Sequence, residues 1–122
     1  MKKILIIEDD KYFLNILIKK LEKEGFSVIS ASEGISGIRK LKEEKPDLII
    51  LDLVLPGIDG FEILKRAKQN PETKKIPIII LSNLGQEQEV EKGLSLGASD
   101  FLIKAHFSPK MVIEKIKKYL SS

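Results

Sequence analysis

Two stretches, "DLIILDL" (residues 47–53) and "IPIIILS" (76–82), carry unbroken runs of large aliphatic residues. A strand with one wet face alternates apolar and polar side chains, whereas a strand covered on both faces does not. These runs therefore predict strands of a parallel sheet with both faces covered. Three more short apolar runs, "ILII" (4–7), "FSVIS" (26–30) and "DFLI" (100–103), bring the set to five.

The segments between them read as helices. Leu14, Leu17, Ile18 and Leu21 recur at i, i+3, i+4 and i+7, with lysines and glutamates on the other side, and Gly25 stands where a C-cap glycine belongs. Ile35, Ile38 and Leu41 mark a second helix, stopped by Pro46. Asp59 as N-cap and Glu62 as its capping-box partner open a third towards Asn70-Pro71. A fourth spans residues 86–96 and ends at Gly97. The fifth spans 108–120, with Ser108 as N-cap and Pro109 at the first helical position. The order is βα repeated five times. Right-handed crossovers then give an α/β fold, a parallel sheet with helices on both faces, which binds ligands at the carboxyl ends of its strands.

Bulk properties narrow the classes. At 122 residues and 43% hydrophobic, the chain suits one domain, residues 1–122, with a real core. No apolar run is long enough to span a bilayer, so no membrane association is expected. The start, "MKKILIIEDD", meets acid after four apolar residues and does not read as a secretory signal. The absence of cysteine removes disulfides and thiolate metal sites, and an intracellular, cytoplasmic setting fits. A net charge of +3 with intermixed signs permits an acidic partner; a nucleic-acid partner is not expected.

The strand ends carry the chemistry. The first strand ends in Glu8, Asp9 and Asp10, the third in Asp52, the fourth in Ser82 and the fifth in Lys104. If all strands are parallel, these residues share one edge. Crowded carboxylates resist ionising unless a cation joins them, and a hard divalent ion such as Mg²⁺ takes oxygen ligands. A carboxylate such as Asp52 can act as a nucleophile towards phosphorus, with the metal, Lys104 and the Ser82 hydroxyl stabilising phosphoryl oxygens. Any one of these residues has an ordinary structural explanation. Acids cap helices after strands, and with 21 Lys+Arg a lysine falls near most places. That reading weakens when all four strand ends are polar in the required way.

These residues resemble the receiver domains of two-component response regulators over essentially the whole chain. "ILIIEDD" is similar to the acidic first-strand motif, "DLIILDLVLPGIDGFEIL" to the phosphoacceptor strand and loop, "PIIILSN" to the strand with the switch hydroxyl, and "GASDFLIK" to the strand with the switch aromatic and lysine. The resemblance implies a flavodoxin-like (βα)5 three-layer sandwich with strand order 2-1-3-4-5. It implies Asp52 as phosphoacceptor. Asp9, Asp52 and the Val54 carbonyl would bind Mg²⁺ directly, with Mn²⁺ as a substitute and Glu8 acting through water. Ser82 and Lys104 would contact the phosphoryl group, and Phe101 would be the switch aromatic. Asp10 reads instead as a helix-start residue. The implied partners are a sensor histidine kinase or phosphotransfer protein, and a downstream protein at the face of the fourth helix, fifth strand and fifth helix. On this reading the chain catalyses only its own phosphorylation and dephosphorylation. The ending soon after the fifth helix suits a single-domain regulator, or a receiver excised from a longer protein.

The chain departs from the family pattern at several points. The lysine is usually followed by proline, commonly through a cis bond; here Ala105 follows, so either a trans bond with a rearranged loop or a strained cis bond is expected. Asn83 stands where alanine or glycine is common, and it is expected to tune rates by crowding the phosphate path or hydrogen-bonding near it. Val54 and Leu84 occupy rate-tuning positions and cannot orient water, so slow autodephosphorylation is expected. Phe101 lacks the commoner phenolic hydroxyl and reads equally as core. His106 and Lys110, Lys115, Lys117 and Lys118 read as surface residues. A receiver-like binding module acting without phosphorylation is the main alternative. A phosphohydrolase would want an aspartate at position 54, and a flavin site a phosphate-cradling loop after the first strand.

Overall fold

The computed structural model describes residues 1–121. Its elements are β1 (Lys3–Ile7), α1 (Lys11–Lys23), β2 (Ser27–Ala31), α2 (Gly34–Glu44), β3 (Leu48–Leu51), α3 (Gly60–Gln69), β4 (Ile78–Ser82), α4 (Glu87–Ser95), β5 (Asp100–Ile103), a single 3₁₀ turn (Lys104–His106) and α5 (Pro109–Leu120). The five strands form one sheet in the order β2-β1-β3-β4-β5, every neighbouring pair parallel. This is the flavodoxin-like arrangement expected from the sequence. Among the described residues, no helix is long and apolar enough to cross a membrane.

The unbroken aliphatic runs follow from two cores, one on each face of the sheet. Ile4, Ile6, Leu48, Ile50, Ile79 and Leu81 point to one face and pack against Leu14, Leu17 and Leu21 of α1 and Val112, Ile113 and Ile116 of α5. Leu5, Ile7, Ile49, Leu51, Ile78 and Ile80 point to the other and meet Leu41 of α2 and Ile63, Leu64 and Ala67 of α3. Alternate side chains thus feed different cores, and neither face tolerates a polar residue. Each fully buried Leu or Ile contributes about 1.5–3 kcal/mol.

The helix ends are fixed locally. Asp10 caps α1, its carboxylate accepting from the Tyr12 and Phe13 N–H groups at 3.1 and 3.2 Å. Ser108 caps α5, accepting from the Met111 N–H at 3.3 Å, and Pro109 takes the first helical position. Gly25 follows α1 at φ +94°, where a side chain would be strained.

One expectation needs correction, and one inward face is not the one the apolar residues suggest. Asp59 caps α3 by accepting from the Glu62 N–H at 3.1 Å, but the Glu62 carboxylate pairs with Arg66 at 3.0 Å instead of completing a capping box. In α2, Ile35 does not face the core: it is 65% exposed. The inward positions are Gly34, Gly37 and Leu41. Hydropathy patterning passes over glycine, although here glycine marks where the helix lies closest to its neighbours.

Replacing Ile79, which is fully buried, by alanine is expected to cost about 2–5 kcal/mol in urea unfolding. The same change at Ile35 is expected to stay within about 0.5 kcal/mol.

Candidate functional site

Strand register builds the site. Ile7 of β1 pairs with Leu51 of β3, so the next residues, Glu8 and Asp52, emerge side by side. The Asp52 N–H donates to the Ile7 carbonyl at 3.0 Å, and the Glu8 N–H to that of Ala31 at 2.9 Å. On the other side of β3, Ser82 of β4 pairs with Ile103 of β5, the residue before Lys104. Parallel direction brings all of these to one edge, as the sequence predicts.

Glu8, Asp52 and Ser82 are buried. The Lys104 ammonium reaches between the first two, 2.5 Å from Glu8 Oε1 and 3.2 Å from Asp52 Oδ2. The remaining oxygens are also engaged. Glu8 Oε2 accepts from the Asp10 N–H at 2.9 Å, and Asp52 Oδ1 from the Val54 N–H at 3.3 Å. The Ser82 hydroxyl accepts from the Leu84 N–H at 3.3 Å, which leaves its own hydrogen to donate. The Lys104 nitrogen also lies 5.0 Å from the centre of the Phe13 ring. This cation–π contact was invisible in the sequence, where Phe13 is one more apolar residue of α1.

Glu8, Asp9 and Asp52 each bring a carboxylate oxygen within 4.8 Å of the others. Asp9 is exposed. Three carboxylates against one ammonium leave excess negative charge, and the donors are all hard oxygens, so the set fits a hard divalent cation. The electrostatics agree. Burial pushes the Glu8 carboxyl up to about 7, Asp52 adding to the effect while Lys104 and the Asp10 N–H oppose it. Burial works against the Lys104 charge too, but Glu8 and Asp52 outweigh it and hold its pKa above the usual lysine value.

The other sequence candidates lie around this cluster. The Val54 side chain is exposed, Asn83 is exposed and Leu84 is half-buried. Phe101 is half-buried, paired with Ile80 of β4 and packed beneath Gly93 of α4. The Lys104–Ala105 bond is trans, like every peptide bond among the described residues, and the 3₁₀ turn over Lys104–His106 is the rearranged loop. Exposed His106 lies in that turn. On the basic last helix, Lys115 pairs with Asp100 at 3.5 Å and Lys117 with Glu24.

The family described as response regulator receiver domain matches residues 4–117. Among curated proteins, the chain is 40% identical over 119 residues to the alkaline phosphatase synthesis transcriptional regulatory protein PhoP of Bacillus subtilis, covering 98% of this chain and 48% of that protein. The chain spans about half the length of the curated relatives it matches. A solved two-component response regulator from Clostridium difficile superposes with a TM-score of 0.92 at 30% identity, covering 99% of this chain and 97% of the other. The Mn²⁺-bound response regulator Rcp1 superposes with a TM-score of 0.85 at 29% identity, covering 97% and 93%.

Glu8 gives the metal-free chain a pH dependence of defined sign. Its folded pKa of about 7 lies above the unfolded value near 4.5, so the folded state holds the proton more tightly. Stability from this group is full below about pH 4.5 and declines as pH rises towards 7, by at most about 3 kcal/mol. Glu8→Gln is expected to flatten that decline, measured as the difference in unfolding free energy between the two chains across this range.

Proposed function

The chain belongs to the response regulator receiver domain family, and on that premise we propose that it is a phosphorylation-controlled switch whose acceptor is Asp52. The observation that carries this reading is the Lys104 ammonium shared between Glu8 and Asp52, with the Asp9 carboxylate in reach.

The chemistry follows from those groups. An Asp52 oxygen attacks the phosphorus of a phosphohistidine on a sensor kinase or phosphotransfer protein. An O–P bond forms as the N–P bond breaks, and the imidazole nitrogen keeps the electron pair. Asp9, Asp52 and the Val54 carbonyl, with Glu8 through water, would hold Mg²⁺, or Mn²⁺ in its place, and a cation held there would supply positive charge to offset that of the phosphoryl oxygens. Lys104 turns one of its donors from the carboxylates to a phosphoryl oxygen. The Ser82 hydroxyl gives its free hydrogen to another.

The phosphoryl group adds charge and strong acceptors at the ends of β3, β4 and β5. As Ser82 moves towards it, space opens near Phe101. The face of α4, β5 and α5 then favours a second packing, which a downstream protein selects. A cytoplasmic location goes with this reading. So does slow hydrolysis, because Val54 and Leu84 are apolar and cannot orient an attacking water. Phosphorylation-independent binding is the second reading, favoured by the trans Lys104–Ala105 turn, which departs from the family pattern at the lysine.

Incubation with acetyl phosphate and Mg²⁺ is expected to add one phosphoryl mass to the intact chain. Asp52→Asn should remain unmodified, and the adduct should outlast seconds after the donor is removed. Absence of an adduct from any donor would favour the binding module.

A further inference from the structure

The loop that follows Asp52 is gripped from two sides by helix starts that have no side chain. At the start of α3, a Cβ on Gly60 would come within 2.5 Å of the Asp52 carbonyl oxygen and of Leu53 Cα. The Gly60 N–H donates to the Leu53 carbonyl at 2.9 Å. The second grip comes from another part of the chain. At the start of α2, a Cβ on Gly34 would lie 2.5 Å from the Ile58 carbonyl oxygen and 3.0 Å from Ile58 Cβ. The Gly34 N–H donates to the Pro56 carbonyl at 3.4 Å. Gly34 is not in a left-handed conformation, so alanine fits its backbone; what the position demands is space. The atoms in the way are loop backbone, which cannot rotate aside as a side-chain tip can.

We propose that Gly34 is a positioning residue for the cation site: by letting α2 seat directly on Pro56 and Ile58, it sets where the Val54 carbonyl points. This rests on the reading of Val54 as a cation ligand. Gly34 touches neither phosphate nor metal. It acts as an outer support whose loss misaims a ligand, the kind of change that typically weakens metal affinity 10–100-fold.

The test compares the wild type, Gly34→Ala and Gly37→Ala by calorimetric titration with MgCl₂, together with metal-free thermal unfolding and amide NMR spectra. Gly37→Ala is the control on the same helix, because the three atoms nearest its new methyl are all side-chain carbons of Ile7, at 2.7–3.1 Å, and none is loop backbone. Gly34→Ala is expected to bind Mg²⁺ about tenfold or more weakly, with its metal-free unfolding temperature not reduced below that of Gly37→Ala. Gly37→Ala should bind as wild type. Wild-type affinity in Gly34→Ala, or an equal loss in Gly37→Ala, overturns the proposal. A wild-type chain that does not bind Mg²⁺ overturns the cation-site reading itself. The support role is then judged on metal-free spectra, where unmoved Val54-to-Ile58 amides in Gly34→Ala overturn it. If Gly34→Ala does not fold, the wild-type titration decides: the Gly34 amide must shift in step with that of Val54, and a stationary Gly34 amide overturns the proposal.

Discussion

The buried ammonium of Lys104 between Glu8 and Asp52 is the interaction on which the rest of the site depends. A carboxylate withdrawn from water is costly unless paired and hydrogen-bonded. Two of them side by side, at the ends of adjacent parallel strands, are costlier still. Lys104 makes this edge tenable from two strands away, and its reach is supported by the Phe13 ring. The arrangement remains unbalanced, with Asp9 adding a third carboxylate. An edge that holds surplus negative charge on hard oxygen donors suits a hard divalent cation.

The same sheet ties that edge to a distant surface. Phe101 lies three residues before Lys104 on β5, and it packs beneath α4 at Gly93, where a Cβ would approach Ile80 Cδ1 to 2.7 Å and Phe101 Cδ2 to 3.1 Å. Lys92, the neighbour of Gly93, sits 4.4 Å above the Phe61 ring of α3. The helix is therefore held by close contacts to two neighbours, and the one buried position of its own is Gly93. An element held in that way can move without dismantling the core.

Most of this architecture was legible in the sequence, because unbroken aliphatic runs admit few sheets and because polar residues at strand ends stand out against them. Glu8, Asp52, Ser82 and Lys104 came together through strand register alone. Asp10 as helix cap and Ser108 with Pro109 at the start of α5 were equally plain, since capping is decided within one turn. What stayed hidden depends on approach distance. Ile35 marks α2 by its hydropathy yet is exposed, while Gly34 and Gly37 take the inward positions, because hydropathy cannot score a residue whose contribution is to be absent. The Phe13–Lys104 contact joins α1 to the end of β5, a pairing that no local pattern encodes. The isomer of the Lys104–Ala105 bond is not legible in the sequence; in the structure the bond is trans.

The central claim is that Glu8, Asp9 and Asp52 form one charge cluster that a divalent cation completes. Carbon-13 NMR of the side-chain carboxyl carbons during a Mg²⁺ titration tests it directly. The account predicts that the three resonances move together with a single affinity, while a remote surface carboxylate such as Glu72 stays still. Three separate affinities, or a stationary Asp52, would contradict it.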